Sequence, residues 1–382
     1  MKLPLRVPFA SPQHWVLRAA GVLFVAYILV LPIFQDRRPN EYGELTDICI
    51  LALAALSLNL LIGFTGQISI GHSAFFGVGA YTTAILVKDH GWSPGWTFVA
   101  AGVLCFFVGV LMGLPALRLK GLYLTLVTLA LAQMFPALVR KFDELTGGSR
   151  GITGLKYEQP DWTGLPSGRA GRSEWVYWVA LGLLAFGYIV VRNLVRSRMG
   201  RAMIAVRDNA TAAAVMGVNV AVTKTVVFGI SAALCGIAGG EFALRQTQAD
   251  PTTSYFTILG SIVFLLIMVI GGAASLMGPI VGAFVYYRFD EFTRALPDKS
   301  YLPGFLQDFL QGRPNLATIV FAALLIALMF VAPFGIVGLA KRIGRKLVVV
   351  VPRPPSRRHP VPADPGLPTD AMTVDEADTA LT

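Results

Sequence analysis

Ten apolar runs separated by short polar stretches organise this chain, at residues 15–34, 44–62, 73–87, 96–117, 122–139, 175–191, 222–244, 255–270, 279–289 and 316–339. Most are longer than a helix in a soluble core needs. The run 44–62 alone would reach about 28 Å at ~1.5 Å per residue, close to the hydrocarbon thickness of a bilayer. The pattern predicts an all-α fold, a polytopic membrane helix bundle with about ten transmembrane segments. The first run ends in Leu31-Pro32 without a small-residue cleavage site and reads as a retained span.

Composition strengthens this reading. Of the 382 residues, 55% are hydrophobic and only 14% charged, where a soluble domain carries about 25% charged residues. The net charge of +10 is placed as a membrane topology signal and not as a nucleic-acid footprint. With the N-terminus inside and the runs alternating, inner regions collect 18 of the 32 basic residues, and before the tail they hold a single acid, Asp208. That bias puts both termini in the cytoplasm. The outer side receives two soluble stretches, 141–173 with Gly147, Gly148, Gly151 and Gly154, and 290–315 with three prolines. Three parts follow: an N-terminal segment with the first span (1–43), a transmembrane domain (44–341) and a tail (342–382) expected to be cytoplasmic and disordered. The 31 residues from Pro352 hold seven prolines and are expected to be disordered. Cys49, Cys105 and Cys235 lie inside apolar runs and read as small buried hydrophobes.

Three motifs carry chemistry. The stretch GFTGQISIGHSAFFGVGAY (63–81) stops an apolar helix at Gly63, continues as a polar, glycine-rich break, and restarts at Ser73, a natural N-cap. It is either a tight inner turn between packed helices or a broken element lining a solute path, since irregular backbone at membrane depth needs protein or water to cover it. Gly71, Gly77 and Gly79 permit close helix approach, and His72 reads as a hydrogen bonder at the helix start. The stretch IGGAASLMGPIVGA (270–283) is a second glycine-rich break before a short apolar segment. Paired breaks of this kind point to a transport pathway, here weakly polar and centred on Gln67, Ser69, Gly71, His72 and Ser275. The third motif is the inner loop 196–220. Four arginines in its first twelve residues exclude a span. Asp208 or Asn209 can cap a short alanine-rich helix that stops at Gly217. Such a helix either lies in another protein's groove or rests on lipid phosphates.

Other chemistry is absent from the sequence. There is no G-x-x-x-x-G-K-[ST] loop to cradle phosphates, and no G-x-S-x-G or H-E-x-x-H. The four histidines (14, 72, 90 and 359) are scattered, so no metal site is expected. Glu241 and Arg245, at i,i+4 spacing, suggest a helical ion pair. A secondary transporter would need ion-coupling groups at midplane, for which Glu241 and His72 are poor candidates, although a sodium site of carbonyls stays open. A membrane-embedded enzyme would need a nucleophile–base pair or metal ligands at helical spacing, and none occurs.

The 63–81 run resembles the signature of branched-chain amino-acid ABC importer permeases of the LivM type. GRAMIAVRDNATAAAVMGVNVAVTK (200–224) is similar to the cytoplasmic loop by which such permeases dock on their ATPase, and VIGGAASLMGPIVGA (269–283) to a third hallmark. The runs 119–133 and 147–155 also fit, so the resemblance covers about residues 44–340. It implies a type II importer-like helical fold and a permease with no ATP site of its own. It also implies partners: a second homologous permease, two ATP-binding cassette subunits that use ATP, and an extracytoplasmic solute-binding protein. Gly200, Arg201, Arg207, Asp208, Asn209 and Gly217 match the family's coupling loop. The cargo implied is branched-chain amino acids, with urea or short amides as the alternative on the same architecture.

Overall fold

The computed structural model describes residues 5–8, 39–116, 122–157, 168–295, 335–339, 342 and 348–351. Two units are distinct: one pairs strand β1 (Leu5–Pro8) in parallel with β4 (Val348–Val351), and the other holds the helices. Strand β4 falls within the stretch expected to be a disordered tail. The rest of that tail and the first apolar run lie outside the described residues, as does all of the last run except 335–339, which is helical.

Each of the eight remaining apolar runs is a helix. They are α1 (Pro39–Thr65), α2 (His72–His90), α3 (Pro94–Ala116), α4 (Leu122–Lys141), α5 (Arg169–Arg196), α8 (Val220–Gln246), α9 (Ile258–Gly271) and α10 (Gly278–Ala295). Between α5 and α8 stand two short helices, α6 (Arg198–Asp208) and α7 (Ala210–Val215). Five of the helices, α1, α3, α4, α5 and α8, are long and apolar enough to cross a membrane. They account for half of the ten segments expected, and the described residues do not supply the full count.

Helices α1 and α8 form the centre. Almost every side chain of α1 from Ile48 to Leu61 is buried, which suits a helix that is apolar all round. Helix α8 packs on α1, α2 and α3, and glycines set how close these approaches are. A Cβ on Gly79 would strike the Gly236 carbonyl, one on Gly239 the Phe76 carbonyl, and one on Gly77 the Phe135 ring. Backbones this near exchange dispersion contacts that larger residues would forbid. The outer faces of α3, α4 and α5 expose Val103, Phe107, Leu111, Leu126, Met134, Phe186 and Ile189, a surface suited to lipid and not to water.

At the far end of α8 a two-residue antiparallel ladder, β2 (Ile152–Thr153) with β3 (Gln248–Ala249), ties down the glycine-rich loop after α4. Gly147, Gly148, Gly151 and Gly154 all have positive φ, which is why that loop is so rich in the one residue that adopts it freely. The three cysteines are free and buried.

Candidate functional site

Helix α1 runs two residues past the expected stop at Gly63 and ends at Thr65. Gly66 takes φ +69°, and the Gly66 and Gln67 amides close on the Ile62 and Leu61 carbonyls at 3.1 and 3.2 Å. The chain then runs irregularly to Gly71 and restarts as α2 at His72. Ser73 is not the N-cap. Gly71 occupies that position, without a side-chain cap, because the Ser73 hydroxyl is engaged across the bundle. It accepts from Ser261 Oγ at 2.8 Å, while Ser73 N–H donates to that same oxygen at 2.9 Å. Two hydroxyls shared between helices satisfy each other better than one local cap would.

His72 is fully buried and wired at both nitrogens. Ser231 Oγ donates to the Ser57 carbonyl at 2.6 Å, so it must accept from His72 Nε2–H at 2.8 Å. On the other side of the ring, Nδ1 and Ser69 Oγ meet at 3.2 Å. The ring Nε2 therefore carries a proton, and the imidazole is a strut between the break, α8 and α1. Gln67 is also buried. Its Nε2 donates to Thr65 Oγ1 at 3.1 Å and to the Lys224 carbonyl at 3.4 Å. Ile70 N–H and Thr128 Oγ1 of α4 meet at 3.1 Å, and Gly71 lies against the Thr128 backbone, where a Cβ would clash.

The second break, between α9 and α10, meets the end of α1. Asn59 is fully buried and clamps the break with both ends of its amide. Its Nδ2 donates to the Ser275 carbonyl and its Oδ1 accepts from Ala274 N–H, each at 2.9 Å. Ala274 takes φ +58°, a conformation uncommon for a residue with a Cβ. One turn on, a Cβ at Gly63 would sit 2.6 Å from Ala274 N. Gly335 in turn rests on Gly271 and Gly272. Ser275 is thus brought to α1 with the first break, although its contact there is made by its backbone. Sequence reasoning did not reach Asn59, Ser231 or Ser261. Asn59 left a signal, an amide inside an otherwise apolar span, which is costly unless partnered.

The inner loop forms as the capping pattern predicts. Ser197 caps α6 through the Met199 and Gly200 amides. Gly200 lies so close to the Val195 carbonyl that a Cβ would clash. Asn209 caps α7, its Oδ1 accepting from Thr211 and Ala212 N–H at 3.0 Å each. At the other end Gly217 has φ +84°, Gly217 N–H bonds Ala214 O, and Val218 N–H bonds Ala213 O, both at 3.0 Å. That pair of bonds is the Schellman stop. The tip is apolar and open, with Val215 and Met216 each 83% exposed. Arg201 and Asp208 are exposed as well. Arg207 is exposed too, yet it reaches α1: its Nη1 donates to the Gly63 carbonyl at 3.0 Å, while its Nε and Nη2 hold Asp208 Oδ1 at 3.0 Å.

One expected pair does not form. Arg245 bonds the Gly43 carbonyl at 3.3 Å and Asp47 Oδ2 at 3.4 Å on α1, not Glu241 one turn away. Glu241 is buried with neither carboxyl oxygen hydrogen-bonded among the described residues. The arginine fork reaches a carbonyl and a carboxylate together across the helix interface, which outweighs one local partner. A cavity of about 340 Å³ opens nearby, lined in part by Asp47, Tyr286, Tyr287 and Glu291, at the end of α1 away from both breaks. Among the described residues no three histidine, cysteine or acidic side chains gather as a metal site would require.

Long apolar helices, close glycine-mediated packing and an exposed capped helix between two of them define a class, the multi-pass membrane helix bundles. Residues 43–331 match the family described as branched-chain amino acid transport system / permease component. The chain is 33% identical over 304 residues to the high-affinity branched-chain amino acid transport system permease protein LivM of Escherichia coli K12, covering 73% of this chain and 70% of that protein. The Salmonella typhimurium LivM is 32% identical with the same coverage. The L-arabinose ABC transporter permease protein AraH of Azospirillum brasilense is 25% identical, covering 78% of this chain and 84% of its own length. No solved structure matches the chain. The chain belongs to the branched-chain amino acid transport system permease family.

Proposed function

We propose that this chain is the membrane-spanning permease subunit of an ATP-driven importer in the cytoplasmic membrane, with both termini cytoplasmic. It works with a second homologous permease, two ATP-binding cassette subunits and an extracytoplasmic solute-binding protein. The observation that carries this reading is the helix α7. It is short, capped at both ends, exposed at an apolar tip, and placed between two long membrane helices. A helix with fixed ends and a low-relief alanine surface is suited to lying in a partner's groove, and the sequence holds no phosphate loop of its own. ATP energy therefore enters by protein contact.

The cargo is branched-chain amino acids. The identity of 33% to LivM against 25% to the arabinose permease favours that class. The inner part of the solute path lies at the two breaks, around Gln67, Ser69, Gly71, His72 and Ser275. In this conformation Gln67, Ser69 and His72 are buried by their own chain, so the path is closed at that level. The test is purification of the chain with its ATPase and permease partners, followed by uptake in liposomes. Recovery without ATPase subunits would remove the reading.

A further inference from the structure

The last turn of a helix leaves carbonyls without intrahelical partners. At the end of α1, the Leu61 and Ile62 carbonyls are taken by the amides of Gln67 and Gly66. The Gly63 carbonyl is taken by Arg207, from the last turn of α6 in the inner loop, at 3.0 Å. The contact is charge-assisted, and it places a cation at the negative end of the α1 dipole. The arginine stem also lies on Gly66, where a Cβ would sit 3.0 Å from Arg207 Cγ. Asp208 Oδ1 accepts from the other side of the guanidinium, through Nε and Nη2 at 3.0 Å. Four residues back along α1, Asn59 grips the second break through Ala274 and Ser275. The inner loop and both breaks therefore meet on two turns of one helix.

We infer that Arg207 is a positioning residue for transport: it ties the ATPase-docking loop to the end of α1, so that movement of the loop is delivered to both breaks. This rests on the reading of α7 as the docking helix, and it gives Arg207 a role distinct from docking. Displacement of α7 pulls α6, Arg207 draws the Gly63 turn with it, and Asn59 carries the displacement to the segment between α9 and α10.

The assay is made in the full reconstituted complex with Arg207→Met, which keeps the stem over Gly66 and removes the donors. The expected result is retention of the ATPase subunits with uptake reduced about tenfold or more. Arg207→Lys, which restores a charged donor, should recover a substantial part of uptake. Wild-type uptake in Arg207→Met, or loss of its ATPase subunits, would overturn the inference. A second measurement keeps Arg207 in place and does not depend on the variant folding. Spin labels at Ile68→Cys and Thr211→Cys, both exposed sites, should keep their separation within about 3 Å between nucleotide-free and ATP-trapped states, whereas a change of about one helical turn, ~5 Å, would show that the link does not hold. Docking itself is read separately with Met216→Asp, which should release the ATPase subunits. If they stay bound, the docking reading fails whatever the Arg207 result.

Discussion

At the scale of single residues, the determinants of this bundle include polar groups inside apolar helices, of which Asn59, His72, Ser73 and Ser231 find partners far along the chain. Asn59 shows the logic most clearly, because one amide meets a donor and an acceptor of the same loop. Asn59→Leu keeps a similar volume and strands both groups, at about 1–3 kcal/mol each. The purified protein should lose about 2–6 kcal/mol of stability, read as a marked fall in Tm in detergent; an unchanged Tm would mean the clamp is incidental. Tyr157 offers a pH test outside the spans. Its hydroxyl donates to the Leu244 carbonyl at 2.9 Å, and the Arg172 guanidinium sits 5.4 Å from its ring centre. Burial pushes the phenol up from 10.0 to about 12, against the opposing pull of Arg172 and Arg245. The folded state thus holds this proton more tightly than the unfolded chain does. The stabilisation is complete below pH ~10 and is lost as pH rises towards ~12. Wild type should therefore lose more Tm than Tyr157→Phe across that window, and parallel curves would refute the assignment. None of these partners was legible in the sequence. Local spacing suggested Glu241 for Arg245, and the actual partners stand about 200 residues away, at |i−j| of 198 and 202.

Elements were far more legible, because their signals are local. Apolar runs gave eight helices among the described residues, and glycine clusters gave both breaks. Helix α7 could be read almost to the residue, from Asn209 as its cap and Gly217 as its stop. Those signals work since caps and left-handed stops depend on a few neighbouring side chains and amides. Ser73 shows the limit: serine is a good cap in isolation, but a hydroxyl on α9 binds it first. Gly217→Val forces a β-branched residue to φ +84°, at a cost of about 1–2 kcal/mol. The Schellman bonds should open and the tip carrying Val215 and Met216 should move. We expect membrane insertion at the wild-type level, with ATPase retention and uptake both strongly reduced. Full retention would separate α7 from docking.

At the scale of the whole molecule, charge placement and apolar length set the account. The arginine-rich loop 196–207 sits on one side, and the glycine-rich loop 141–157 on the other. Cysteine labelling of intact cells should reach Ser149→Cys and leave Thr211→Cys protected, both positions being exposed on the protein surface and the native cysteines buried. Labelling of position 211 from outside would invert the topology. The proposed function has this chain draw on ATP hydrolysis by a partner, through contact at the capped helix α7. The most direct measurement is uptake of radiolabelled leucine by liposomes that contain the purified complex, with the solute-binding protein outside and ATP inside. The account predicts uptake that requires both ATP and the binding protein and that is lost when the ATPase subunits are omitted. Leucine accumulation by this chain without ATPase subunits, driven by a proton or sodium gradient, would contradict it.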